Sequence, residues 1–181
     1  MAQLTISQQN LSKETMGAFL KLIDVILFIV FLVIAIGAPL LDAQTCLPST
    51  LFPDILINLN TWYTHQFGDY LVSEKPHFFV GLIWLELLFA WPLALACLYG
   101  IVAGKSWLRI TCLLYGVSTL TSMVAILSEL VGSGKASEKL LKLYFPFMGF
   151  AVLAILRGFL PHSPKTNAIS TKSASARKKR A

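Results

Sequence analysis

Charge is scarce in this sequence: Asp, Glu, Lys and Arg make up 13% of its 181 residues, against about 25% in a soluble domain. So few polar side chains cannot cover a water-facing surface, which excludes an ordinary soluble fold. Cysteine is scarce too, and Cys46, Cys97 and Cys112 form neither a C-x-x-C pair nor a zinc spacing. Cys97 and Cys112 fall in apolar stretches and read as small buried hydrophobes, not as a disulfide framework. No G-x-S-x-G, H-E-x-x-H, P-loop or Rossmann glycine pattern occurs. His65, His77 and His162 lie outside the long apolar runs. No nucleophilic arrangement, metal site or cofactor is therefore expected. The net charge of +6 does not imply nucleic acid, because most of the basic residues sit near the ends of apolar runs or in the tail.

What is abundant is hydrocarbon: 56% of the residues are hydrophobic, and mean hydropathy is +0.70. Crossing a bilayer takes about 20 mostly apolar residues in a helix. Residues 22–41, 78–103, 110–128 and 143–161 meet that length. The expected fold class is thus an all-α integral membrane protein, a bundle of four transmembrane helices. The first run exceeds a signal-peptide core and lacks a convincing cleavage site, so it is read as a retained span. Placing both termini in the cytosol puts eleven Lys and Arg there, Lys13, Lys21, Lys105, Arg109 and Arg157 among them, against four (Lys75, Lys135, Lys139, Lys142) on the opposite side.

Residues 42–75 are too many for a plain connector. Pro53-Asp54 starts a helix there, Ile55, Leu59, Trp62, Tyr63 and Phe67 recur at helical spacing, and Gly68 closes it. A short luminal amphipathic helix between the first two spans is expected. The organisation is then an N-terminal cytosolic segment (1–20), a membrane domain (21–161) and a disordered basic tail (162–181). Lys178 and Lys179 stand fourth and third from the last residue, the dilysine register of endoplasmic-reticulum retrieval. A plain basic tail drawn to anionic lipid is the competing reading.

Glu86 is the most informative residue by position, since a carboxylate in hydrocarbon costs roughly a few kcal/mol. It must be protonated, paired or turned to a polar cavity; a structural bond between helices is the competing reading. Asp42, at the end of the first span, can share a site with it. Two such acids resist double ionisation and together suit an amine or a lipid hydroxyl. Thr111, Tyr115, Ser118 and Ser122 step by helical spacing along the third span, widened by Thr119 and Thr121. Packing of helices through small hydroxyl residues explains that stripe equally well.

Several blocks in order resemble the EXPERA-domain family, in particular its sigma-2 receptor branch and the plant members. They are Leu41-Asp42 through Pro48, LFPD (51–54), WYTHQFGDYL (62–71), ELLFAWP (86–92), YGVSTLTSMVAIL (115–127) and YFPF (144–147). EKPHFFVGLIWLELLF and KASEKLL look most like the plant branch. The resemblance implies a homodimeric four-helix protein of the endoplasmic reticulum membrane, with a cavity open to the membrane that takes sterols and hydrophobic amines. It maps the ligand-binding acid to Asp42, its partner acid to Glu86, a structural acid to Asp69 and a third-span hydroxyl to Ser122. Thr119 and Tyr144 complete the expected ligand set. Ala90 stands where the animal receptors have Gln, and Phe147 where they have Tyr. Three functions follow: sterol or lipid binding in homeostasis or transport; double-bond isomerisation, as in the related emopamil-binding protein; or a scaffold for a sterol-transport protein. The isomerase pairs its spanning glutamate with a His one turn earlier, where this chain has Leu82.

Overall fold

The computed structural model describes residues 2–160, apart from the side chains of residues 2–7 and 9–13. Lys178, Lys179 and the rest of the basic tail lie outside them. Among the described residues every regular element is helical: α1 Ala2–Leu40, α2 Asp54–Phe67, α3 Tyr70–Glu74, α4 His77–Leu85, α5 Trp91–Ala103, α6 Leu108–Gly132 and α7 Glu138–Phe159. A wide π turn, Glu86–Ala90, joins α4 to α5 into one continuous rod. Four segments are long and apolar enough to cross a membrane: Glu14–Thr45, His77–Ala103, Leu108–Gly132 and Glu138–Phe159. The protein is a four-span helical membrane protein. Four crossings bring the start of the first span and the end of the fourth to one face of the membrane and the 46–76 connection to the other. α1 runs unbroken through the boundary expected at residue 21.

Both sides of α1 are apolar, and only the structure tells them apart. Leu20, Ile23, Leu27, Phe31, Ile34 and Ala38 are buried, stepping by three and four, while Leu22, Val25, Ile29, Val33 and Ile36 stay exposed. In lipid this is ordinary, because hydrocarbon solvates the outer stripe as well as protein would. The buried seam packs on Ala94 and Cys97 of α5 and on Cys112 and Tyr115 of α6. The Phe31 and Tyr115 rings meet edge to face at 4.9 Å. Cys97 and Cys112 are buried free thiols with their sulfurs 3.8 Å apart. A second cluster, Leu71, Phe79, Ile83, Ile126, Leu127, Leu130 and Leu140, fills the end of the bundle toward the long connection.

α6 and α7 pack closest, through glycine. A Cβ at Gly116 would meet the Ala151 carbonyl oxygen at 2.8 Å and the Ile155 nitrogen at 2.9 Å, and one at Gly158 would strike Leu113 and the Arg109 carbonyl. Small residues let helix backbones approach where no hydrophobic drive exists. Arg109 then caps its partner, donating to the Gly158 carbonyl at 3.2 Å, which suits a cation at a helix C-terminus.

Proline inside a helix removes one N–H and orphans the carbonyl four residues earlier. Pro39 sits inside α1, so the carbonyl so freed is that of Ala35. The Trp91 indole donates to that carbonyl at 3.0 Å. Pro92 follows the π turn, in which the Trp91 amide reaches back to the Glu86 carbonyl. The missing Pro92 N–H leaves the Leu88 carbonyl without its usual donor and favours the wider turn.

Asp24 and Arg157, each near the end of its span, form a two-pronged ion pair across α1 and α7. The second contact, Arg157 Nη2 to Asp24 Oδ2, is 3.2 Å. Arg157 is 3% exposed, and its Nη1 meets no acceptor among the described residues. Because removing one partner strands a buried charge, Asp24→Ala is expected to destabilise by about 3–5 kcal/mol. The double replacement Asp24→Leu with Arg157→Met should lose far less. Thermal unfolding in detergent checks both.

Candidate functional site

Three carboxylates converge on the end of the bundle that carries the long connection, and their surroundings divide them. Asp69 is fully buried and has every acceptor position used. It caps α3, accepting from the Leu71 and Val72 amides at 3.1 and 3.3 Å. Its other oxygen accepts from the Tyr63 hydroxyl at 2.9 Å and the Tyr144 hydroxyl at 2.8 Å. Gly68 makes this possible: with φ 65° it ends α2 in the left-handed conformation and turns the chain into the cap. Tyr144, expected in the ligand set, has its hydroxyl committed to Asp69.

Asp42 opens the short 3₁₀ turn Asp42–Thr45 directly after α1. It lies within electrostatic range of both Glu86 and Asp69, but does not line the recess that holds Glu86. Glu86 begins the π turn, about a third of the way along the second span from the end that carries the long connection. Neither Asp42 nor Glu86 accepts a hydrogen bond from a protein donor among the described residues. Both are half-buried, whereas Asp69 is wholly buried and, as buried polar groups ordinarily are, satisfied fully. The contrast separates an acid used inside the fold from two whose lone pairs remain available.

Glu86 lies in a small recess, partly open to its surroundings, between α4 and α6. Ser118, Thr119 and Ser122 line one wall, and Leu82, Ile83, Ala90, Met123 and Ile126 supply apolar surface. The expected residues Thr119 and Ser122 therefore share one recess with Glu86. Of the wider hydroxyl stripe, Thr111 and Thr121 bond back to the carbonyls of Trp107 and Val117, which leaves them out. Tyr115 is buried, with its hydroxyl beside Thr119. Leu87 packs against both apolar clusters, so the recess lies where they adjoin. Among the described residues no group of His, Cys, Asp and Glu could hold a metal ion.

Gln44, two residues beyond Asp42, was not singled out in the sequence. It donates to the Leu40 and Leu56 carbonyls at 2.7 and 3.3 Å and accepts from Asn60 at 3.3 Å. Lys75 donates to the Gln44 carbonyl at 2.8 Å. These bonds fold α2 and the end of α3 over Asp42. A lone Gln at a span end gives no signal of this in sequence, since its partners come from three separate segments.

Burial and then the adjacent Asp69 carboxylate hold the Tyr63 phenol well above its ordinary value of 10.0. A raised phenol pKa favours the protonated, donating form in the fold. Its contribution is complete below pH 10.0 and is lost as pH rises beyond it, because the unfolded chain releases its proton first. The unfolding midpoint should thus fall steeply above that pH. Tyr63→Phe is expected to flatten the fall while costing about 1.5–3 kcal/mol at neutral pH, the worth of a hydrogen bond to a charged group. Unfolding midpoints across alkaline pH measure both effects.

Comparison with known proteins agrees with this architecture. The family described as EXPERA (EXPanded EBP superfamily) matches residues 55–158, which include the last three spans. Sigma intracellular receptor 2 of Homo sapiens is 35% identical over 89 residues, 49% of this chain and 51% of that protein. The protein of the same name from Xenopus tropicalis is 28% identical over 130 residues, 65% of this chain and 76% of its own. The chain thus spans about half the length of the human relative it matches and three quarters of the amphibian one. With more than half of its length matched and the four-span fold in place, the chain belongs to the EXPERA family.

Proposed function

We propose that this protein binds a sterol or related lipid, or a cationic hydrophobic ligand, in an intramembrane cavity at Asp42 and Glu86. One observation carries the reading: among the described residues both acids lack a protein donor where the neighbouring Asp69 has four. A ligand hydroxyl or ammonium supplies the missing donor, and charge-assisted bonds of this kind are the strong ones. Ser118, Thr119 and Ser122 offer further polar contacts along the recess, and Leu82, Ala90 and Ile126 meet ring or chain carbons. Tyr144 serves through its ring, its hydroxyl being held by Asp69, which acts as the structural acid. Ala90 offers no polar contact, so selectivity leans toward lipid over amine.

The setting proposed is the endoplasmic reticulum membrane, with both termini cytosolic, Lys178 and Lys179 as the retrieval signal, and a homodimer as the working unit. Residues 1–20 and 162–181 are then its cytosolic segments. The role is sterol homeostasis or transport, without catalysis. Family membership and the receptor relatives support a sterol-related role. Leu82 lines the recess one turn before Glu86 and presents no second proton-transfer group there, as acid–base isomerisation of a ring double bond requires.

Losing a charge-assisted bond weakens binding by about 1.5–3 kcal/mol, or roughly 10- to 100-fold. Photo-crosslinkable sterol is expected to label the wild-type protein, and Asp42→Asn and Glu86→Gln to need correspondingly more probe. Equal labelling of all three would place the ligand elsewhere. In a strain lacking sterol isomerase, sterol profiling should show the ring double bond unshifted, and a shifted bond would overturn the binding-only reading.

A further inference from the structure

The helix over Asp42 presents its apolar residues outward. Leu51, just ahead of α2, is 67% exposed, and Ile55, Leu59 and Trp62 are 74%, 44% and 58% exposed. Steps of four and three along α2 place Ile55, Leu59 and Trp62 in one stripe, with the exposed Gln66 at its end; Leu51 stands beside the helix start, beyond the extended Phe52 and Pro53. The sequence spacing grouped Ile55, Leu59 and Trp62 with Tyr63 and Phe67 as a single face, but the structure divides them. Tyr63 turns in to Asp69, and Phe67 packs on the second apolar cluster. Asp54, Asn58, Thr61 and His65 form an exposed polar side. The apolar stripe occupies the arc between that polar side and the side facing the bundle.

Two sets of bonds fix the depth and direction of α2. Gln44 belongs to the last turn of the first span, which ends at Thr45, and is bonded to Leu56 and Asn60. At the other end, Ser137, the residue before the fourth span, donates to the Phe67 carbonyl at 3.1 Å. Both attachments stand at the same membrane boundary, so α2 lies in the plane of that boundary. A stripe of Ile, Leu and Trp at this depth, beside a polar side and a protein side, meets the condition for an interfacial helix.

We infer that α2 is inserted by this stripe into the neutral lipid of the leaflet opposite the chain ends. Lipid carries the assignment over a second copy of the chain, since three apolar side chains on a 14-residue helix fall well short of the roughly 1,000 Å² a stable interface requires. Continuity argues the same way: Val33, Ile36 and Leu40 lead up the outer side of α1 to the same boundary. Neutral lipid follows from charge. α2 contains no Lys or Arg, so it lacks the basic residues that draw such helices to anionic surfaces.

The test uses the full chain in vesicles of phosphatidylcholine, with and without bromine on the acyl chains, comparing wild type with Trp62→Phe. The difference in emission belongs to Trp62. It is expected to fall by about half or more in brominated vesicles, as for an indole some 5–10 Å into the interface. Iodide in the water should leave it nearly unchanged, as should added salt or anionic lipid. Quenching of the Trp62 emission by iodide and not by bromine would overturn the inference in favour of solvent. Protection from both, with Leu59→Cys forming disulfide-linked dimers, would overturn it in favour of a second copy.

Discussion

The indole proton that Trp91 gives to the Ala35 carbonyl fixes the first two spans at one relative depth, and the arrangement of the acids depends on it. Hydrocarbon offers no water to satisfy a carbonyl orphaned by proline. Pro39 creates such a carbonyl, and Trp91 lies one residue past the π turn that begins at Glu86. The same bond that repairs the break in α1 therefore sets the height of Glu86 against Asp42, three residues beyond Pro39. Two prolines, each a local defect, together produce the site: one positions the end of α1, and the other widens the turn that carries the glutamate.

Polar groups elsewhere obey the same demand by pairing within the protein. Asp24 meets Arg157, Arg109 caps α7, and Asp69 receives four donors. Against that background the two acids without donors stand out more than their burial alone would make them. The recess beside Glu86 lies where the two apolar clusters adjoin at Leu87. Packing is interrupted there, and a recess placed at such a junction gives up cohesion that a continuous core would have kept.

The spans were legible in the sequence because bilayer crossing imposes a length and a composition that few other elements satisfy. Glu86 was legible because an acid inside such a run is rare. Asp24 and Arg157 were not: each stands near a span end, where a charge normally reports topology, and 133 residues separate them. The Trp91 bond was equally hidden, since an indole in an apolar run reads as packing. The faces of α1 and α2 were hidden for a further reason. Amphipathic periodicity presumes that the outer surface meets water. Where it meets lipid, Ile55, Leu59 and Trp62 face out with no change in pattern, and a single apolar stripe is divided between two surroundings.

Gln44 joins these strands. It sits two residues from Asp42, closes the last turn of the first span on the Leu40 carbonyl, and holds the middle of α2. A movement of α2 relative to the membrane plane has to be transmitted through Gln44, because its side chain is buried and bonded on both sides. Asp42 shares the 3₁₀ turn with Gln44, so it cannot keep its orientation if that turn is displaced. The position of one carboxylate is thereby tied to the loop helix, and the position of the other to the Trp91 bond deeper in the bundle. Their separation is set by two independent attachments to α1, one at the carbonyl freed by Pro39 and one at the turn where the helix ends.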